Sequence, residues 1–564
     1  LAVSLEAAAG GESATVLIDG QGGVGTSRFL DELGRRVAGL ANPFEVLRGR
    51  SYRLGSDEPY GAITRALGHT LEAASDGELT GLVGPAAEDV ARLFPGLVGR
   101  LAAAGALPDV PTITAPERRQ GRVLEGLLGV LGRLSERRPV LLVLEDVHDA
   151  DAGTRAFVSF VSRIRRHHRV CLIATYQPDE LTRDHPLTAA LAELSALPGS
   201  GPARVTIAPL ERNELAELVQ AIEGERPTAS AVVLVADRSR GLPLVAEELL
   251  AARHELSETA LNGSFDDLVT ARLARRGPEC RRVLRLLALA GRPLDRDELA
   301  ATSAAFELTA DRLPPRSTNL PRRGDGGALD PDLALGLEEA LEAGILVEEP
   351  AGICFRHEHL RRAAAGDLLP RLRHRHHLAL AAGLGRHPQA AAGHWLDAHL
   401  ADRAFDAAVE AAARAEAAHS PEDALAALEL ALALVEPSTM TGQPGSSDSR
   451  DGKSPATSRG GSRGDRFRAE TAREVATPLQ VRSAEAAFAA GRPARAAAFI
   501  EAILGGFDER RDRLALGLLH ERLGRDRRAA GDRTGALAAL ERAVDLVPDA
   551  PTLERATALA ALAQ

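Results

Sequence analysis

Lysine is almost absent: among 564 residues the only one is Lys453. Arginine replaces it throughout, a bias that GC-rich codon usage produces, so positive charge is carried by guanidinium groups. Basic residues are also outnumbered. The formal net charge of −11 excludes bulk, non-specific nucleic-acid binding, while leaving room for a basic face on one domain. Cys171, Cys280 and Cys354 lie far apart, form no CxxC or Cys/His spacing, and read as buried thiols in a reducing cytoplasm. Aromatic residues make up only 3%, so alanine and leucine do most of the packing, as in helix-rich, repeat-like proteins. No run reaches the ~18 uninterrupted apolar residues of a membrane span, and no membrane partner is expected. There is no signal peptide, and the first residue is Leu1 rather than methionine, so the chain reads as a piece of a longer protein. H-E-x-x-H does not occur, and no nucleophile–base constellation on a strand-turn-helix frame is present.

What is present first is an alternation of short aliphatic runs with helical patterns. Thr15–Ile18, Phe44–Leu47, Val140–Leu144, Val170–Thr175 and Arg204–Ile207 read as strands of a mostly parallel sheet, the last at an edge. From about Glu211 the pattern turns helical: Glu214–Ile222, Ser230–Asp237, a corner at Arg240-Gly241-Leu242-Pro243, then Val245–Arg253. Helices Leu268–Arg276, Cys280–Ala290, Asp297–Ala300 and Leu333–Ala343 precede a hairpin-like pair, Leu346–Glu348 and Gly352–Phe355, which is the outline of a winged helix. Leu313–Ala328, rich in Pro, Arg and Gly, reads as a surface insertion. Pro437–Arg466, dense in small and polar residues, reads as a disordered linker. Beyond it His520, Leu523, Gly524, Gly531, Ala536, Leu540, Ala543 and Pro548 fall at offsets resembling a tetratricopeptide repeat, with an irregular helical array as the alternative. The expected organisation is an α/β P-loop NTPase domain over 1–208, a helical lid over 209–262 and a winged-helix-like domain over 263–385. TPR-like helices over 386–436, the linker over 437–472 and TPR-like repeats over 473–564 complete an all-α superhelix.

Gly20-Gln21-Gly22-Gly23-Val24-Gly25-Thr26-Ser27 fits G-x-x-x-x-G-K-[ST] except that Thr26 stands at the lysine. It follows a strand and opens a helix, so the backbone N–H groups of Gly20, Gly22, Gly23, Val24 and Gly25 would point at a phosphate, helped by the helix N-terminus. Ser27 would ligate Mg²⁺. Thr26 offers a hydroxyl but no charge, and Arg28 is placed to face away. Taken alone, the loop also reads as a flexible turn. The apolar run Val140–Leu144 ends in Glu145-Asp146, which puts carboxylates at the sheet edge beside the loop, Glu145 on the magnesium side and Asp146 to activate water. A solvated acidic turn is the alternative.

Leu144-Glu145-Asp146-Val147-His148-Asp149-Ala150-Asp151 resembles the "LEDLHWAD" segment of STAND-class signal-transduction ATPases, particularly those of large LuxR-like bacterial regulators. Ala174–Pro178 is similar to their "TYRP" strand end with Gln177 for arginine, and Gly241-Leu242-Pro243 with Glu247-Glu248-Leu249 to their "GNP…EEL" corner. Phe355-Arg356-His357 with Leu360–Ala363 resembles "FRHALVREA", and His377 falls in a helix like "RRRLH". Their "GRE" segment is not recognisable before Thr15. The resemblance implies a switch between ADP-bound closed and ATP-bound open states, with Gln177 and Pro243 at the nucleotide and helical repeats sensing an effector or protein partner. It also implies that His357 touches the β-phosphate, although a structural histidine capping the wing reads equally well. Thr26, Gln177 and Leu242 each remove a group the resemblance places at or near the nucleotide. A charge-assisted contact is worth about 1.5–3 kcal/mol, so losing two weakens binding by on the order of a hundredfold or more. The expectation is therefore ATP or ADP with Mg²⁺ held weakly or not at all, and negligible hydrolysis.

Arg371–His377 is a dense basic and histidine stretch without a carboxylate or cysteine at metal-ligand spacing. It reads as a solvated face or an intramolecular contact, with a nucleic-acid contact as the alternative. Three functions remain open. One is a transcriptional regulator that contacts DNA only through a domain outside these residues. The second is a catalytically dead TPR scaffold for a protein partner. The third is a module beside a cyclase or kinase encoded elsewhere in the gene.

Overall fold

Val140–Glu145 and Val170–Tyr176 are buried at every position, which makes them the centre of a sheet covered on both faces. In chain order the strands are β1 (Ala14–Gly20), β2 (Glu45–Arg50), β3 (Val140–Glu145), β4 (Val170–Tyr176) and β5 (Ala203–Ile207). The computed structural model describes residues 1–40, 42–52, 58–108, 116–164, 167–196, 201–255, 264–308, 329–349, 351–366, 368–435 and 463–564. The sheet runs β2-β3-β4-β1-β5 with every neighbouring pair parallel. Each connection must cross over, and helices supply the crossovers. The carboxyl ends of β1 and β3 consequently emerge at one edge of the sheet, with β4 between them.

The second strand departs from the expectation. It occupies Glu45–Arg50 rather than Phe44–Leu47, because an edge strand need not be apolar at every position and Arg48, Gly49 and Arg50 continue the pairing with β3. Helices Gly61–Ala73, Asp76–Val83, Ala87–Leu93, Val98–Ala103 and Pro116–Arg137 fill the crossover from β2 to β3.

Helices Arg212–Glu223, Ala229–Ser239 and Pro243–Glu255 follow the sheet and pack around Leu215, Val219, Val235, Ala246 and Leu250. The second ends because Arg240 and Gly241 both take left-handed backbone, at φ 50° and 79°, and Pro243 then opens the third with a preset φ. Next come Phe265–Ala274, Pro278–Ala290, Arg296–Leu308 and Pro331–Glu342, then an antiparallel hairpin of β6 (Leu346–Glu349) and β7 (Gly352–Phe355). Leu284, Leu287, Leu299, Leu333, Ile345 and Ile353 share one core there, and Leu294 bridges to Ile353. The expected Asp297–Ala300 helix is only the start of Arg296–Leu308. Helices Glu358–Gly366, Pro370–Gly383 and Pro388–Asp397 complete this part. The expected insertion Leu313–Ala328 lies outside the described residues, as do residues 437–462 of the expected linker, while the helix Arg463–Ala489 begins inside that linker.

The chain divides into two compact units, residues 1–113 with 121–399, and residues 400–564 with 114–120. In the second, helices Ala401–Ala417, Pro421–Val435, Arg463–Ala489, Pro493–Leu504, Arg513–Ala529, Arg533–Leu546 and Leu553–Ala563 each pack on the next. Small residues allow close approach: Gly524 faces Leu540 so tightly that no side chain fits. No helix among the described residues is long and apolar enough to cross a membrane.

Candidate nucleotide site

The phosphate loop is built by two backbone positions that only glycine adopts comfortably, Gly23 at φ 84° and Gly25 at φ 99°. They turn the chain from the end of β1 into the helix Thr26–Ala38, whose first N–H groups have no carbonyl partner within the helix. The Thr26 hydroxyl lies over Gly20, and Arg28 is exposed within electrostatic reach of Glu32. Ser27 Oγ donates to Glu145 Oε2 at 3.3 Å.

β3 carries Glu145 to the same edge, where it is only 7% exposed. Asp146 follows in left-handed backbone at φ 56°, with its N–H donated to the buried Thr175 Oγ1 at 3.1 Å. Two arginines of β2 reach this acidic pair. Arg48 donates from Nε at 3.1 Å and from Nη2 at 2.6 Å to Glu145 Oε1, and its other nitrogen meets Asp31. Arg50 Nε donates to Asp146 Oδ2 at 2.8 Å. Its Nη1 lies 3.5 Å from Glu349 of the hairpin, which also accepts from Tyr52 OH at 3.3 Å. Burial raises the Glu145 carboxyl above the usual range even against the pull of Arg48. For Arg50, burial works to lower the pKa, but Asp146 and Glu349 outweigh it and the guanidinium is held more firmly protonated. The sequence reading missed both arginines. The available signal was the R-x-R alternation, which places both side chains on one face of β2.

The rest of the acidic segment is structural. Asp151, 4% exposed, accepts from Tyr60 N at 2.7 Å, Gly61 N at 3.0 Å and Thr154 N at 2.7 Å, so its carboxylate pins two helix starts. His148 Nδ1 accepts from the Gln177 N–H at 3.4 Å, and the Gln177 side chain lies over Gly22.

The lid corner closes on the loop. Leu244 N–H donates to Gly23 O at 3.2 Å, and a Cβ on Gly23 would sit 2.8 Å from the Leu244 side chain. Pro243 faces Gly25. The structure therefore brings Gly20–Ser27, Glu145, Asp146, Gln177 and Pro243 together. His357 lies just past the hairpin on the Asp146 side of this group: the groups acting on its ring are Arg356, Arg50 and His359, Arg50 being the arginine that holds Asp146, and Arg356 pairs with Glu247 of the lid helix at 2.9 Å.

Residues 1–173 match the AAA ATPase domain family. The loop, the β3 acids and β4 as far as Ile173 all fall inside that AAA-matching segment. An uncharacterized protein of Rhizobium meliloti (strain 1021) is 26% identical over 309 residues, which are 50% of this chain. The match spans only 28% of that relative's length. Among solved structures, a STAND protein with a tetratricopeptide repeat sensor from Pyrococcus horikoshii is 12% identical, with a TM-score of 0.38 over 100% of this chain and 79% of that one. A Walker-type ATPase of Pyrococcus abyssi is 13% identical, with a TM-score of 0.25 over 62% of this chain and 90% of that one. Neither superposition is close enough to bear on this fold.

Burial, reinforced by Arg356 and Arg50, holds the His357 pKa down at about 3. Below about pH 6.5 the unfolded chain takes up a proton there that the folded ring refuses. Stability should thus be lost as pH falls from about 6.5 toward 3, by at most about 1.4 kcal/mol per pH unit from this residue. Melting temperatures recorded against pH for the native chain and His357→Gln test this. The substitution should flatten the acid limb, and an unchanged slope would mean that the ring is already solvated.

Proposed function

We propose that this chain is a STAND-like regulatory switch that binds nucleotide weakly and hydrolyses it negligibly, within a cytoplasmic LuxR-like transcriptional regulator. The supporting observation is the guanidinium pair: Arg48 and Arg50 hold the two carboxylates at the end of β3, while Thr26 stands at the lysine position. In this reading Gly20–Ser27 cradles the phosphates, Gln177 and Pro243 flank the nucleotide, and His357 helps to keep the closed state. The resemblance would put magnesium at Glu145 with Ser27 and water polarisation at Asp146, roles that the two arginines oppose.

As arranged, the residues do not fit Mg²⁺. A hydroxyl and a carboxylate are the right donors for a hard cation, but Glu145 Oε1 sits in the Arg48 fork and Oε2 accepts from Ser27. A cation there would have to displace a charge-assisted, mostly buried contact. No hydrolytic step is assigned to this site. The lid seated on Gly23 is consistent with a resting, closed state. The helices and hairpin between 263 and 385 read as the winged-helix-like element. The second unit reads as TPR-like repeats that receive the effector, with DNA contacted by a domain outside these residues.

The test is thermal melting with ATP or ADP, each with Mg²⁺ and with EDTA. At a hundred times Kd a ligand stabilises by about 2.7 kcal/mol. One nucleotide should raise the melting temperature equally in both buffers. No shift with either, at millimolar concentration, would favour the second reading, a dead scaffold. Exposed leucines on the second unit give that reading its observation: Leu514, Leu518, Leu537 and Leu559 are 41–51% exposed, available for a protein partner.

A further inference from the structure

The histidine stretch set aside in the sequence acquires partners through the fold. Helices Pro370–Gly383 and Pro388–Asp397 pack on each other across a short turn. His377 on the first therefore faces His394 on the second, and Asp397, one turn further along, reaches the same point. His377 Nδ1 lies 3.1 Å from His394 Nδ1 and 3.6 Å from Asp397 Oδ2. The three ligand atoms all fall within 4.8 Å of one another. His377 is 8% exposed and His394 3%, while the Asp397 side chain is 60% exposed.

As a plain hydrogen-bonded pair the two rings are incompletely explained. Only one Nδ1 can carry the shared proton, and Asp397 Oδ2 stands 3.6 Å from His377 Nδ1 as a third possible ligand atom. A metal ion accounts for the approach of the two lone-pair nitrogens and the carboxylate. With Zn–N bonds of about 2.0–2.1 Å, tetrahedral ligand atoms sit roughly 3.3 Å apart, between the 3.1 and 3.6 Å found here. Imidazole, imidazole and carboxylate is a recognised zinc set with one position left open.

We propose that His377, His394 and Asp397 form a binding site for one divalent transition-metal ion of the zinc class, entered from the exposed Asp397 side. The site lies outside the nucleotide pocket and does not depend on the switch reading. Both rings are buried, and ligation takes the neutral imidazole. The positive groups acting on the cluster are Arg373 and His374 for His377 and Arg292 for His394. Arg292 is itself paired with Glu298 at 2.6 Å, and Asp397 supplies the negative charge nearest the ligand atoms.

The test is cobalt(II) titration of the untagged full chain, read by the visible d–d absorption of tetrahedral cobalt and by its displacement with Zn²⁺. One cobalt per chain is expected, with a raised melting temperature. Asp397→Asn, at an exposed position where folding is not at stake, should weaken binding at least tenfold, and His394→Ala should abolish the spectrum. Replacing the exposed, stacked pair His374 and His399 by alanine should leave one cobalt bound per chain with its tetrahedral spectrum. Absence of a tetrahedral spectrum in the native chain would overturn the proposal. So would binding that survives Asp397→Asn unaltered, or binding that is lost with His374 and His399.

Discussion

Thr26→Lys is expected to tighten ADP binding by roughly ten- to a hundredfold. A charge-assisted contact to phosphate contributes about 1.5–3 kcal/mol, and each 1.4 kcal/mol is a factor of ten. Among the described residues no free charge stands in for it: the domain has no lysine, Arg28 is exposed beside Glu32, Arg48 is engaged by Glu145 and Asp31, and Arg50 by Asp146. The backbone needs no rearrangement, because Gly23 and Gly25 already take the loop's left-handed conformations. Isothermal titration of ADP measures the gain, and an affinity that does not rise would show that the loop is not a phosphate cradle. Hydrolysis should stay negligible in this variant, since Arg48 and Arg50 still hold Glu145 and Asp146. Adding Arg48→Met should make nucleotide binding depend on Mg²⁺. The carboxylate released from its fork becomes available to a hard cation beside Ser27.

Much of this site could be read in the chain before the fold was known, for definite physical reasons. A strand covered on both faces must be apolar throughout, so β3 announced itself and placed Glu145 and Asp146 at its end. The loop glycines and the Gly241–Pro243 corner are positions where backbone conformation dictates residue type, and both lie where expected. The arginine pair escaped notice because β2 is an edge strand. Its polar positions look like a loop, and their meaning depends on the register Arg50↔Glu145. The histidine stretch, expected to be a solvated face or an intramolecular contact, is divided between the two. Arg371 and His374 are exposed as a solvated face requires, but His376 and His377 are buried, His376 stacked 4.5 Å from Phe306. A carboxylate at the wrong sequence distance can still be adjacent once two helices pack, and no spacing rule along one helix anticipates that.

Arg272→Met is expected to cost about 3–5 kcal/mol, the largest stability effect of any single substitution considered, whereas changing both partners should cost little. Arg272 is 3% exposed and Glu248 6%, and their charges pair directly. Arg272 Nη2 also donates to Ala343 O at 3.3 Å. Removing the guanidinium alone strands a carboxylate in the interior, and that desolvation dominates the cost. Replacing the pair with apolar residues of similar volume, Glu248→Leu with Arg272→Met, removes both charges and is typically neutral or stabilising by 1–4 kcal/mol. Urea unfolding of both single variants and the double variant gives the coupling directly. The location gives the result a functional edge. Glu248 lies on the helix whose first turn, at Pro243 and Leu244, sits on the phosphate loop, and Arg272 lies on the helix that opens the following block. If the lid and that block move as one body when nucleotide enters, the double variant should bind ADP as the native chain does. If they separate, the ion pair regains hydration as it parts, whereas an apolar pair gives up its burial. The double variant should then hold the closed state more firmly, and protease cleavage in the lid should decrease.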